Sequence, residues 1–481
     1  MSSNRQSRRS WFGLIGVSLA VLFLARCTVG PRYAQPTVTV PPAYKETGKP
    51  GGKPSAQKLP DQWWKLFGDP QLNTLEAQIS VSNQNLKQAQ AQYLQARALV
   101  RFYRADEYPL VTAGASATRE HLAANRPPKS NFSGKTFSDF VVPGDLSYEV
   151  DAWGRVRRAV ESAAESAQAN GADLAAVNLS LQSELAVDYF ELRSADAQEK
   201  LLDSTVADYE KTLQLTEKRY RGGLASDLDV QEAKAQLEAT RSQEIDVRVG
   251  RAQFEHAIAV LIGKPPAEFT LAFMPLTGSP PAVPVGLPSQ ILEQRPDVAA
   301  AERRVAAANA QIGVAKAAYF PQFSLTAAGG FESGTLTTLL QGPGGFWSLG
   351  AGAVEAVFEG GRRHAVTEQA QAFYAQTVAA YRQTVLTAFQ DTEDNLAALR
   401  ILSQEAATQN LAVEAAQRSV VLSLNQYKGG LVDYLQVLTA QTSSLTAQRA
   451  ALDILRRRMD ATVGLIQALG GGWNTSQLPP P

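Results

Sequence analysis

The sequence contains one long unit twice. Displaced by 207 residues, the stretch opening at Gly154 aligns without a gap on the stretch opening at Gly361, and the match runs through Gly263 and Gly470. Its sharpest segment sets Tyr220-Arg-Gly-Gly-Leu-Ala-Ser-Asp-Leu-Asp-Val230 against Tyr427-Lys-Gly-Gly-Leu-Val-Asp-Tyr-Leu-Gln-Val437. Upstream the displacement becomes 212, pairing Ala89 with Ala301, Ala96 with Ala308, Ala105 with Ala317 and Pro109 with Pro321. The change falls between Pro109 and Gly154, so the first copy carries the longer loop there. A tandem duplication of this size restricts the fold to an architecture in which one supersecondary unit recurs beside itself.

Each unit reads as a helix, two strands, a long helix and a shorter helix. No proline interrupts 155–220, and Leu185, Leu192, Val206, Leu213 and Tyr220 recur at heptad spacing. A helix of that length spans roughly 100 Å at about 1.5 Å per residue. An ordinary coiled coil is one reading. The added alanines at 163, 164, 167, 175, 176 and 186 widen the apolar face, as a wall of closely packed helices requires. Gly222-Gly223 and Gly429-Gly430 are expected to supply the φ > 0 conformations that end each long helix. Ser226 and Asp433 suit the N-caps of the next helices, with Gln436 placed to complete a capping box. Val230, Ala233, Leu237, Val247, Phe254, Ile258 and Leu261 form the apolar stripe of the shorter helix, so each unit ends in a helical hairpin.

The strand segments alternate. Val111, Ala113, Ala115 and Ala117 share one face against Thr112, Gly114, Ser116 and Thr118, and Leu146-Ser-Tyr-Glu-Val-Asp151 follows the same rule. The second unit repeats it with Phe323, Leu325 and Ala327, and with Trp347, Leu349 and Ala351. This pattern fits a half-buried soluble sheet or a membrane barrel with a wet lumen. Four strands cannot close a barrel, and open edges are not tolerated in hydrocarbon. A membrane version must therefore pool strands: two chains give eight and three give twelve, and twelve leaves an aqueous lumen.

The expected divisions are a leader at 1–26, an N-terminal segment at 27–70, the first repeat at 71–266 and a Pro-rich linker at 267–294. The second repeat follows at 295–470 and a tail at 471–481. The first repeat holds strands at 109–119 and 140–151 and helices at 154–220 and 227–262. The second holds strands at 321–331 and 346–358 and helices at 361–427 and 433–469.

Lys+Arg and Asp+Glu both total 46, which argues against nucleic acid as a partner, since phosphate binding needs a basic excess. Cys27 is the single cysteine, so the chain forms no internal disulfide, and three histidines leave metal chemistry sparse. Beyond residue 25 no apolar run reaches the ~20 residues of a membrane helix. No paired carboxylates or nucleophile-base set stands out, and Glu149, Asp151 and Glu355 sit at strand positions as lumen-lining groups; the chain reads as no enzyme. Arg5, Arg8 and Arg9 precede an apolar run that ends at Leu24-Ala25-Arg26-Cys27, an export leader. Either Cys27 is a lipoprotein processing site and becomes an acylated N-terminus, or the leader is plain and the cysteine incidental. Arg26 stands where a small residue is usual.

The chain resembles the TolC-like outer-membrane efflux factors, in the lipoprotein branch serving resistance-nodulation-division pumps. Cys27-Thr-Val-Gly-Pro-Arg-Tyr33, Trp63-Trp64, Phe67-Gly-Asp-Pro70 and Leu146 to Arg155 carry the resemblance. So do Arg295-Pro-Asp-Val298, Ala318-Tyr-Phe-Pro321, Tyr427-Lys-Gly-Gly-Leu431 and Gly470-Gly-Gly-Trp473. It implies a mainly α protein with a small β part: a duplicated unit forming a long α-helical barrel, with four strands given to a trimeric 12-stranded transmembrane β-barrel.

The resemblance also implies a homotrimer in outer-membrane lipid, a periplasmic adaptor protein and an inner-membrane transporter as partners, and no cofactor beyond a lipid on Cys27. Adaptor docking would fall on the tips, at Gly222, Gly223, Leu224, Gly429, Gly430 and Leu431. The gate would involve Leu435, at an apolar constriction, and Tyr427, a tether of the inner hairpin. Asp433 reads as gate or helix cap, and Leu435 as gate or coiled-coil packing. The family's entrance carboxylates fall here on Gln436 and Thr439, both neutral. Two other roles fit parts of the chain: a type I protein-secretion duct, and a coiled-coil tether without a pore. If Cys27 is acylated, globomycin treatment of expressing cells will accumulate the unprocessed precursor; processing that continues unaffected would rule acylation out.

Overall fold

The computed structural model describes residues 28–47, 59–125, 127–128 and 130–480; the expected leader and Cys27 lie outside these residues. After a 3₁₀ turn at Trp63–Phe67 come α1 (Pro70–Ser82), α2 (Gln84–Ala105), β1 (Leu110–Ala113), β2 (Ser116–His121) and β3 (Thr136–Val150). Then follow α3 (Arg155–Arg221), α4 (Asp227–Leu261), α5 (Ile291–Gln294), α6 (Pro296–Ala317), β4 (Gln322–Ser333), β5 (Gly345–Val354), α7 (Arg362–Lys428) and α8 (Tyr434–Ala468). The duplication holds at the level of single residues. Moved by 212, the bounds of α2 become those of α6, and β1 with β2 becomes β4; moved by 207, α3 becomes α7 and α4 becomes α8.

The long helices start where a left-handed glycine turns the chain out of the sheet: Gly154 has φ +82° and Gly361 φ +87°. Asp151 is not a lumen group. Its carboxylate accepts from the Val156 and Arg157 backbone N–H groups at 3.1 and 3.0 Å, anchoring the N-terminus of α3. Glu355 likewise pairs with Arg363 at the start of α7. Glu149 is a strand residue, and it holds Arg155 in a two-pronged pair at 2.7 and 2.6 Å.

Leu185 and Leu192 are buried as the heptad pattern requires, whereas Tyr220 is exposed. The main core gathers midway along the helices. Trp63, Leu72 and Ile79 pack there on Leu185, Tyr189 and Phe190 of α3, Ile258 of α4 and Ile466 of α8. A buried ion hub fastens the same level: Asp196 meets Arg193 at 2.9 Å and Arg251 at 2.7 Å and accepts from the Met274 N–H, while Arg193 also donates to Gln71. This ties α1, α3, α4 and the 267–294 segment together. That segment is not wholly irregular, since its last four residues form α5.

The N-terminal segment is a strap along the outside of both repeats. Val29 donates its N–H to the Trp153 carbonyl, Arg158 to Pro31 and Tyr33 to Glu302. Gln35 donates to the Tyr381 hydroxyl, and the Lys45 and Glu46 N–H groups to Glu393.

The strands form one antiparallel sheet in the order β1/β2, β3, β4, β5. The expected strand at 109–119 is two pieces. Gly114 donates to the Pro143 carbonyl at 3.0 Å, but proline has no N–H to return, so the ladder lapses while the register carries on from Ala113↔Gly144 to Ser116↔Val141. β3 begins at Thr136, four residues before the expected 140, and β5 stops at Val354 rather than 358.

Directly opposed residues share a face. Val111, Leu146, Ala327 and Leu349 form one such row, and Thr112, Asp145, Ala328 and Ser348 the row behind it. Followed along the ladder, one face carries Val111, Ala113, Ala117, Leu146, Val150, Phe323, Leu325, Phe331, Trp347 and Leu349; Arg119 and His121 appear only at its far end. The other carries Thr112, Ser116, Thr118, Asp139, Asp145, Glu149, Ser324, Thr326 and Glu332. Leu349, Trp347 and Val111 are nonetheless open to solvent in the single chain. Among the described residues no helix is long and apolar enough to cross a membrane.

Glu76 in α1 is buried, and neither carboxylate oxygen has a hydrogen-bond partner in the structure. Burial raises its pKa from 4.5 to about 9, so the folded chain holds it neutral. The unfolded chain releases the proton above pH 4.5, so stability falls as pH rises from there toward 9. Replacing Glu76 with Gln removes this dependence. Its thermal midpoint should exceed the wild type's at pH 7, by the equivalent of about 3 kcal/mol, and the difference should close below pH 4.5.

Candidate functional site

At the end of α3, Gly223 adopts φ +73° and donates to the Tyr220 carbonyl, and Leu224 donates to Arg219 at 2.8 Å. At the end of α7, Gly430 adopts φ +74° and donates to Tyr427, and Leu431 donates to Gln426 at 2.9 Å. These are paired Schellman turns. Only the second glycine of each pair needs to be glycine for its backbone. Gly222 and Gly429 have φ −83° and −78°, so within each pair the second glycine supplies the positive φ.

Ser226 and Asp229 form a reciprocal capping box at the start of α4. At α8 the cap is one-way. The Gln436 N–H donates to the Asp433 carboxylate at 3.3 Å, and the expected return from the Gln436 side chain is not made. An open cleft of about 580 Å³ separates the tips, lined by Leu224, Asp229, Leu431 and Asp433 among others.

Tyr427 and Leu435 part company. Tyr427 is 2% exposed and packs edge-on to Tyr434, with Val437 and Ala233 completing the cluster. Its hydroxyl donates to Thr216 Oγ1 of α3 at 3.3 Å, and the Arg219 guanidinium lies 4.7 Å over its ring while donating to the Lys428 carbonyl. About two turns beyond Tyr434, Gln441 of α8 donates to Thr212 Oγ1 of α3 at 3.2 Å. Three hydroxyls, an amide and a guanidinium therefore stitch the second hairpin to the first.

Leu435 is 53% exposed, because its neighbours Tyr434 and Val437 take the inward positions of α8. It has no packing role within the single chain. Thr439 turns its hydroxyl back onto the Leu435 carbonyl at 2.8 Å and, like Gln436, is exposed. Leu224 and Leu431 stand open at the two tips.

Tyr434, Arg219, Thr212, Thr216 and Gln441 escaped the reading of the sequence. The signal available was divergence between the copies. The counterparts of Tyr434, Arg219, Gln441 and Thr216 are Asp227, Gln426, Lys234 and Ser423, and Tyr220, counterpart of the buried Tyr427, is exposed.

The turn geometry separates neighbouring glycines. Gly430→Ala places a side chain in left-handed backbone and should destabilise the tip by about 1–2 kcal/mol. Gly429→Ala should be neutral or stabilise by about 0.4–1 kcal/mol. Hydrogen exchange at the Leu431 amide reports both, faster in the first variant and unchanged or slower in the second.

Comparison with known proteins places this geometry. Residues 75–264 and 287–471 match the family described as outer membrane efflux protein. The chain is 31% identical to the pyoverdine export outer membrane protein OpmQ of Pseudomonas aeruginosa, over 95% of this chain and 96% of that one. It is 32% identical to the toluene efflux pump outer membrane protein TtgF of Pseudomonas putida, over 96% and 97%. It is 31% identical to the cation efflux system protein CusC of Escherichia coli, over 94% and 97%. Among solved structures, the outer-membrane channel OprN superposes with a TM-score of 0.87 at 32% identity, covering 93% of this chain and all of that one. The open state of the Neisseria gonorrhoeae MtrE outer membrane channel superposes with a TM-score of 0.81 at 28% identity, covering 93% and 98%. The relatives are transport components, and the matches run nearly end to end. The chain belongs to the outer membrane efflux protein family and is an outer-membrane component of an efflux system.

Proposed function

We propose that three copies close a single twelve-stranded barrel in the outer membrane, and that their helices continue it as a tunnel into the periplasm. The observation that carries this reading is the sheet: one face apolar except at its far end, where Arg119 and His121 stand, the other mostly polar, and two edges without partners in the single chain. Such a sheet is stable in lipid only when copies complete it, with the apolar face outward and the polar face lining water.

In this reading the tips at Gly222, Gly223, Leu224, Gly429, Gly430 and Leu431 dock a periplasmic adaptor, and through it an inner-membrane transporter that supplies the energy. Cys27 carries the lipid anchor; Thr28, the next residue, packs at Gly154 beside the foot of the sheet. The relatives at 31–32% identity bear names for pyoverdine, toluene and cations, so the duct is permissive and selection lies with the transporter.

The gate lies at the second hairpin. Leu435, exposed and apolar, narrows the entrance together with its copies, and Tyr427 with Arg219 and Thr216 holds the hairpin in place. Asp433 is a helix cap. Gln436 and Thr439 leave the entrance without a charged ring. Leu435→Ser combined with Tyr427→Phe should raise single-channel conductance in planar bilayers; conductance equal to the wild type's would remove both residues from the gate.

A further inference from the structure

We infer that a cleft between the two repeats binds a small amphiphilic anion, an apolar body carrying one carboxylate, sulfate or sulfonate head. The cleft lies just beyond the main core, on the side away from the sheet. Its volume of about 580 Å³ falls in the range that holds small-molecule ligands. Leu201 of α3, Leu276, Val413 of α7 and Leu452 and Leu455 of α8 give it apolar walls. Lys200 of α3 and Arg458 of α8 are the charged groups of its lining, and no carboxylate lines it.

The duplication shows why Arg458 is available. Displaced by 207, it is the second copy of Arg251. Arg251 is satisfied: it pairs with Asp196 at 2.7 Å and Glu255 at 2.6 Å and donates to the Leu271 carbonyl. The counterparts of Asp196 and Glu255 are Ser403 and Thr462, so the second copy keeps the cation and lacks both carboxylates. Its two predecessors differ again, since Arg456 pairs with Glu191 and Arg457 with Glu405. Among the described residues no carboxylate pairs with Arg458 or Lys200, and the Arg458 Nε is buried without a hydrogen-bond partner. A half-buried guanidinium in this state has lost hydration that an anion would replace.

The cleft is built before any ligand arrives. Leu276 donates its N–H to the Arg193 carbonyl at 2.8 Å and Met274 donates to Asp196 at 2.9 Å, so the segment at its edge is fastened to the ion hub. The leucines and valine suit an apolar body, and two cations suit a single anionic head. An uncharged amphiphile would leave both cations uncompensated. The walls come from one chain, so the site does not depend on the proposed barrel. In the proposed orientation the bilayer lies roughly 70 Å away along α3, at about 1.5 Å per residue from Arg155. The head therefore belongs to a dissolved amphiphile and not to a membrane lipid.

Octanoate and its uncharged analogue octanamide, added to the full-length protein in dodecyl maltoside, test the site. Acetylation of single lysines by an N-hydroxysuccinimide ester, read by peptide mass spectrometry, reports whether Lys200 is covered, with exposed Lys211 as the reference. Octanoate should slow Lys200 acetylation saturably, about tenfold at ten times its half-effect concentration, and leave Lys211 unchanged. Octanamide should need an at least about tenfold higher concentration, and Arg458→Gln should raise the half-effect concentration of octanoate by a similar factor. Arg458→Lys, which keeps the charge, should restore most of the protection. Unaltered Lys200 labelling in octanoate, equal protection by octanamide, or full protection in a folded Arg458→Gln variant overturns the assignment. The first two arms use the wild-type chain, so they decide the matter even where a variant misfolds.

Discussion

The bare edges of a four-strand sheet constrain everything else in this molecule. Each unpaired N–H and C=O that enters hydrocarbon costs several kcal/mol, so a sheet with one lipid-facing side cannot exist there alone. The ladder places aliphatic and aromatic side chains on one face and Asp139, Asp145 and Glu332 on the other, which fits a wall between lipid and water. The long helices inherit their arrangement from it. Gly154 and Gly361 turn the chain from strand to helix at matching points, so helix position follows strand position.

Duplication then solves one problem twice and a second problem once. Helix bounds and strand register repeat to the residue, because packing a wall needs the same geometry in both halves. The turns at the tips repeat, but the packing around them does not. Tyr220 stays exposed at the end of α3, while Tyr427 is buried at the end of α7 against Thr216 and Arg219. A cluster that links two hairpins needs complementary, not identical, partners, so the copies had to diverge there.

Much of this was legible from the sequence because it depends on local chemistry. Proline-free heptads, glycine pairs and alternating strands report on residues near one another in the chain. The misses depend on distance in space or on one atom. Pro143 interrupts a ladder only because Gly114 lies opposite it, a fact of register. Asp151 looks like a strand carboxylate until the chain turns and presents the N–H groups of Val156 and Arg157. In the sequence Leu435 reads equally as gate or coiled-coil packing and Tyr427 as a tether. Only the docking of α8 on α3 buries one and leaves the other open.

The N-terminal strap acts as a splint. It is bonded to Trp153 and Arg158 in the first repeat and to Glu302, Tyr381 and Glu393 in the second, and Glu46 pairs with Arg400 near its lower end. Sliding one repeat past the other along this stretch would break several of these bonds together. Among the described residues the strap's bonds end at Arg400, while α7 runs on to Lys428. A shear between the repeats along this stretch is thereby shared among many small bonds, so no single contact carries the load.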